Sequence, residues 1–84
     1  MRRPVRAALL AFDLGSTSVK ALLINAETGA PIAIARRATS GGADAREQDA
    51  DTWWEAICAA THEVMALASA QSPDAIEVRG IGVD

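Results

Sequence analysis

Residues 7–25 read AALLAFDLGSTSVKALLIN and place a short polar segment between two apolar runs. Ala7–Phe12 is a continuous apolar run, which is typical of a strand buried on both faces of a sheet. Asp13–Ser18 holds one glycine and three hydroxyl residues, a composition that favours a tight turn. Val19–Asn25 is again apolar and partly β-branched. The stretch therefore predicts a β-hairpin whose turn carries the polar groups.

A second turn and an edge strand complete the predicted first half of the chain. Ala26–Gly29 forms the turn, and Gly29 supplies the positive φ that such turns often need. Ile32–Arg37 begins by alternating isoleucine with alanine, which indicates a third strand. Pro31 at its start suits the edge of a sheet. The first half is therefore predicted to be an antiparallel meander.

The second half predicts one helix and one further strand. Asp49 is a suitable N-cap for a helix that runs to about Ala70. Spacings of four and three predict a buried helix face made of Trp53, Ile57, Ala60, Val64 and Leu67. Val78–Asp84 is mostly apolar and is the predicted last strand. The order β-β-β-α-β predicts an α/β fold with a mixed sheet, in which the last strand is parallel to the first.

Length and composition limit the class of protein. A chain of 84 residues is one small domain at most. Eleven acidic residues outnumber eight basic ones, so no basic surface predicts nucleic-acid binding. No apolar run approaches the ~20 residues of a membrane span, so no membrane partner is expected. The single cysteine, Cys58, excludes an internal disulfide framework and is consistent with a reducing cytoplasm.

The polar turn between the first two strands has the groups of a phosphate site. Asp13 ends a predicted buried strand, where a carboxylate is costly unless it is paired, hydrated or bound to a cation. Gly15 lets the backbone approach a ligand, and the three hydroxyl residues after it offer hydrogen bonds to phosphate oxygens. Lys20 can reach back over the turn. On these residues alone, a nucleotide-phosphate site with hydrated Mg²⁺ and a solvated hairpin turn both remain open.

Three stretches together resemble one protein family. Residues 13–20, DLGSTSVK, resemble the first phosphate-binding motif of the sugar kinase, heat-shock chaperone and actin superfamily. Glu47–Glu55, EQDADTWWE, is similar to the entry to the first helix of the FGGY family of carbohydrate kinases. Ile76–Asp84, IEVRGIGVD, resembles a strand of that family. The chain differs from the family pattern at Ser16, where Thr is commoner, and at Ala50, where Pro is usual.

The resemblance implies a fold and an activity. The implied fold is ribonuclease-H-like (the actin-like ATPase fold), of which the chain holds a part. Residues 1–84 would be an incomplete N-terminal domain, and the second domain would be absent. The activity is that of an ATP-dependent, cytoplasmic carbohydrate kinase, which transfers the γ-phosphoryl group of ATP to a sugar or polyol hydroxyl. A xylulokinase-like enzyme that uses xylulose or a similar pentulose is favoured, with Mg²⁺ as cofactor. Whether the parent enzyme is a homodimer is left open by the resemblance.

The resemblance also assigns site residues. Asp13 would bind Mg²⁺ through water and orient Mg²⁺–ATP, while Lys20 would neutralise developing charge. The nucleotide-binding set so implied is Asp13, Gly15, Ser16, Thr17, Ser18 and Lys20. Asp84 would face the cleft near the acceptor sugar. The catalytic base of the family is an Asp that comes later than residue 84, and the adenosine pocket lies in the second domain, so the 84-residue chain itself is expected to be inactive.

Other residues and other classes of protein are weaker candidates. Trp53 and Trp54 could stack on a sugar, but helical spacing favours core packing for Trp53. His62 has no second ligand at metal-binding spacing and is predicted to be a surface residue, while Cys58 is predicted to be a buried, inert thiol. The alternatives to a sugar kinase are an actin-like or chaperone-type ATPase and a small, non-catalytic binding module.

Overall fold

The computed structural model describes residues 4–39 and 50–84. Its elements are β1 (Val5–Leu14), β2 (Ser18–Asn25), β3 (Pro31–Ala38), α1 (Ala50–Gln71) and β4 (Ala75–Val83). The predicted order β-β-β-α-β is therefore confirmed, although β4 begins three residues earlier than expected. The predicted N-cap Asp49, and the start of the Glu47–Glu55 stretch, lie outside the described residues.

The four strands form one mixed sheet in the order β3-β2-β1-β4. β1 is antiparallel to β2, and β2 is antiparallel to β3. The helical crossover then returns β4 parallel to β1, as predicted. One end of the sheet consequently gathers the carboxyl ends of β1, β3 and β4 and the beginning of β2. We call this end, marked by Leu14, Ser18, Ala38 and Val83, the hairpin end.

Helix α1 covers one face of the sheet and packs over β2 and β3. The buried cluster between them is Ala8, Leu10, Phe12, Val19, Ala21, Leu23, Ala33, Ala35, Ala56, Ala60, Val64 and Ala68. Alanines make up most of this cluster, which allows the helix to approach the sheet closely. No helix in the described parts of the chain is long and apolar enough to cross a membrane.

The buried face of α1 differs from the predicted one near the end of the helix. Val64 and Ala68 are fully buried, whereas Leu67 is 45% exposed. Buried residues follow the i, i+4 row from Ala56 through Ala60, because a ridge of that spacing lies along the sheet. Such a row drifts around the helix by about 40° per step, so it has turned away from Leu67 by the last turn.

Two substitutions on adjacent turns test this helix face. We expect Val64→Ala to lower the free energy of unfolding by about 1–3 kcal/mol, because it leaves a cavity in the packed core. Leu67→Ala removes a larger side chain from a partly exposed position and should change stability by less than about 0.5 kcal/mol. Chemical denaturation of both variants measures the difference. Equal losses would show that Leu67 is a core residue.

The prediction that β1 is buried on both faces holds at Ala7, which is 6% exposed, and fails at Leu9. Ala8, Leu10 and Phe12 face the helix and are buried, whereas Leu9 is 43% exposed. On the edge strand β3, Ile34 is likewise 55% exposed. We call the sheet face opposite α1, which carries Leu9 and Ile34, the open face.

The turn between β2 and β3 matches its prediction. Gly29 has a φ of 76°, and no other described residue has a positive φ. The Asn25 side-chain oxygen accepts hydrogen bonds from the backbone N–H groups of Glu27 and Thr28, at 2.8 and 3.1 Å. Pro31 starts β3, which lies at the edge of the sheet as expected.

Candidate functional site

The turn between β1 and β2 is fixed by backbone hydrogen bonds on two sides. The Gly15 N–H donates to the Ser18 carbonyl at 2.9 Å and closes the turn. The Thr17 carbonyl accepts from the N–H of Thr39 at 3.0 Å, which ties the turn to the residue that follows β3. Thr39 is the buried polar residue of the described chain. The hydroxyl residues of this turn therefore stand on a backbone held from both β1 and β3.

Gly15 has a steric role inside this turn. A Cβ added there would meet the Ser18 carbonyl oxygen at 3.3 Å, closer than ordinary van der Waals contact. The sequence predicted that Gly15 lets the backbone approach a ligand. That role stays a prediction, and the structure adds that a side chain at this position would crowd the hydrogen bond that closes the turn.

Asp84 is held beside Asp13 by its own backbone. The Asp84 N–H donates to the Phe12 carbonyl at 2.9 Å, and the Asp84 carbonyl accepts from the Leu14 N–H at 3.1 Å. These two bonds bracket Asp13 on the neighbouring strand. Because adjacent strands lie about 4.8 Å apart, the two acidic residues are neighbours across the sheet.

Asp13 and Lys20 are directly paired across β1 and β2. The Lys20 Nζ lies 4.0 Å from Asp13 Oδ2, and the two side chains are 38% and 61% exposed. Both lie on the open face, since Val19 and Ala21 on either side of Lys20 are fully buried against the helix. The burial cost that the sequence assigned to Asp13 therefore does not apply. An ion pair this exposed contributes little to the stability of the fold. Both side chains can therefore turn to a ligand without destabilising the protein.

A small cavity lies over the pair at the hairpin end. Its volume is about 260 Å³, and its lining includes Asp13, Lys20, Leu22 and Asp84. Within the described residues, no group of three or more His, Cys, Asp or Glu side chains could hold a metal ion directly. Two carboxylates beside a lysine suit instead a Mg²⁺ ion that keeps its waters and arrives with phosphate oxygens.

Sequence reasoning missed Arg36, which continues the same row of charges. Arg36 on β3 is directly opposite Lys20 on β2. Its neighbour Arg37 forms an ion pair with Glu63 of α1 at 3.3 Å and therefore lies on the helix side. Alternation then places Arg36 on the open face with Lys20. The alternation of β3 in the sequence already indicated that Arg36 and Arg37 lie on opposite faces of the sheet. That Arg36 lies beside Lys20 depends on the register between β3 and β2.

Comparison with known families bears on this site directly. Residues 8–84 match the N-terminal domain of the FGGY family of carbohydrate kinases. The chain belongs to the FGGY family of carbohydrate kinases. No match was found among curated proteins or among solved structures. The hairpin end thus belongs to the N-terminal region of a carbohydrate kinase, and the non-kinase alternatives are not favoured.

The remaining candidates of this FGGY domain lie away from the hairpin-end cavity. Trp53 packs against the core, as predicted, whereas Trp54 is 65% exposed. Trp54 lines an apolar groove of about 420 Å³ between α1 and the β1–β4 side of the sheet. Cys58 is half-buried in this groove rather than in the core, and His62 on its rim is exposed as predicted.

Proposed function

We propose that this FGGY domain supplies the phosphate-holding part of an ATP site in a kinase that phosphorylates a sugar or polyol. The observation that carries the proposal is the Asp13–Lys20 pair, 4.0 Å apart on the open face, next to a turn of three consecutive hydroxyl residues. Phosphoryl transfer depends chiefly on positioning and on charge stabilisation. These groups offer both at one end of the sheet.

Each group has its own part in holding the nucleotide. Asp13 would hold Mg²⁺ through water molecules, and Lys20 would bind phosphate oxygens from the neighbouring strand. The hydroxyls of Ser16, Thr17 and Ser18, with the backbone of Gly15, hold the β- and γ-phosphates. Mg²⁺, when it arrives with ATP, neutralises phosphate charge.

The acceptor is a sugar or polyol hydroxyl, with xylulose or a similar pentulose favoured. Asp84 borders the same cavity as Asp13. This supports our proposal that the Asp84 side chain lies between the phosphates and the acceptor. The wider architecture we propose is the ribonuclease-H-like fold, because β4 lies beside β1 and parallel to it. The catalytic base and the adenosine pocket come from other parts of the complete enzyme.

An assay of a complete kinase that carries this domain tests the proposal. ATP consumption is measured with a pentulose, a hexulose and glycerol, each at saturating concentration. We expect sugar-dependent turnover with the pentulose as the best acceptor. ATP hydrolysis that no sugar or polyol stimulates would contradict the proposed function, whereas a hexulose preference would overturn only the pentulose assignment.

The 84-residue chain on its own should not phosphorylate any of these acceptors. In the proposed site Asp13 holds the phosphate end of the nucleotide and is paired with Lys20. It is therefore not the base that removes the proton from the sugar hydroxyl. We expect no sugar-dependent ATP turnover above the rate without protein. Turnover that rises in proportion to the concentration of the purified chain would contradict this assignment of roles.

A further inference from the structure

Four charged residues form a row across the hairpin end of the open face. In the order of the strands they are Asp84 after β4, Asp13 on β1, Lys20 on β2 and Arg36 on β3. The row is therefore acidic on one half and basic on the other. Lys20 is paired with Asp13 at 4.0 Å. Within residues 4–39 and 50–84, Arg36 has no carboxylate partner within ion-pair distance.

The basic half of this row places two positive charges side by side, of which Lys20 is partly balanced by Asp13. Lys20 and Arg36 are directly opposite across an antiparallel pair, where Cβ atoms are about 4.5–5.5 Å apart and like charges repel. An anion between the two side chains would remove that repulsion. A guanidinium group is well suited to the task, because its fork of N–H donors matches two phosphate oxygens.

We propose that Arg36 is a second phosphate-binding residue, which with Lys20 holds the phosphate chain of the nucleotide while the magnesium ion lies over the acidic half. The inference rests on the proposed function and adds Arg36 to it. The polarity of the row matches the polarity of the ligand, since a magnesium triphosphate carries its cation on one side and its free oxygens on the other. The row thereby also fixes the direction in which the phosphates run, from β1 toward β3.

Arg37 provides a matched control for Arg36. The two residues are adjacent on β3 and carry the same charge, but Arg37 lies on the helix side in an ion pair with Glu63. A change of Arg37→Gln therefore alters the net charge of the protein by the same amount as Arg36→Gln. Only Arg36→Gln removes charge from the open face.

Calorimetric titration of the 84-residue chain with magnesium tripolyphosphate at low salt tests the inference. We expect Arg36→Gln to weaken binding about 3- to 10-fold and Lys20→Gln to weaken it at least as much. Arg37→Gln should change the affinity less than about 2-fold. The helical circular dichroism of each variant, compared with the parent chain, checks that it is folded.

The outcomes separate this inference from the proposed function. Weakening by Lys20→Gln with no change in Arg36→Gln would overturn the role of Arg36 and leave the phosphate site in place. Equal weakening by Arg36→Gln and Arg37→Gln would mean that net charge alone matters, and would also overturn it. If magnesium tripolyphosphate does not bind to the unsubstituted 84-residue chain, both the role of Arg36 and the phosphate site are overturned.

Discussion

Replacing Asp13 by alanine in a complete kinase that carries this domain should lower kcat by at least about 10²-fold. The expected size follows from the position of the carboxylate, which lies beside Lys20 and Asp84 at the hairpin end and is 61% exposed. A group that organises charge around the phosphates acts mainly in the transition state. The KM for the sugar should therefore change little. Steady-state kinetics with ATP and sugar varied separately provide the measurement.

A second acidic substitution controls for the loss of one negative charge. Glu77 is an exposed carboxylate on β4 whose partner is Arg79 in the same strand, at 2.8 Å. Glu77→Ala should leave kcat within about 2-fold of the parent enzyme. An Asp13→Ala enzyme with a nearly normal kcat and only a raised KM for sugar would show that Asp13 binds the acceptor and not the phosphates.

Replacing Lys20 by glutamine should also reduce kcat strongly, by about 10- to 10²-fold. The Lys20 ammonium group lies 4.0 Å from Asp13 Oδ2, and glutamine keeps much of its length without its charge. Lys20→Arg restores a positive charge and should recover most of the rate. This pair of variants separates charge from packing, because a merely structural role of the long side chain would be satisfied by either replacement.

The Lys20 variants have a clear contrary result. A kcat close to that of the unsubstituted enzyme for both Lys20→Gln and Lys20→Arg would show that the positive charge has no role in the transfer step. A rise in KM for ATP alone, with kcat unchanged, would show that Lys20 binds ATP equally in the ground state and the transition state.

The topology of the fold was readable from the sequence because its signals are local. The turn at Gly29 needed a positive φ, and apolar residues at spacings of four and three indicated the helix. A helical connection between strands three and four predicted that β4 runs parallel to β1, and the structure adds that β4 lies beside β1. Each of these steps depends on a few neighbouring residues.

The degree of burial was harder to predict than the topology. The run Ala7–Phe12 has no polar residue on either side of the strand, so its pattern could not distinguish burial on one face from burial on both. The structure leaves Leu9 partly exposed on the open face. Leu67 was misplaced for a related reason, because the contact between a helix and a twisted sheet follows one ridge that drifts around the helix.

The candidate site was predicted in part for the same physical reason. Asp13 and Lys20 are seven residues apart in a hairpin, so their pairing followed from the turn. Arg36 and Asp84 join them only through the register of β3 and the return of β4, which are contacts between distant parts of the chain. Local pattern alone does not specify such neighbours.

The most direct test of the phosphate site is an amide NMR titration of the isotope-labelled chain with Mg²⁺–ATP. We predict saturable shifts that are largest at Gly15–Lys20 and reach Arg36, and that need an at least about 3-fold higher ligand concentration in Lys20→Gln. Adenosine, which lacks phosphates, should leave these amides unchanged. Shifts confined to the apolar groove around Thr61 and His62, or no saturable shift at the hairpin end, would contradict the account.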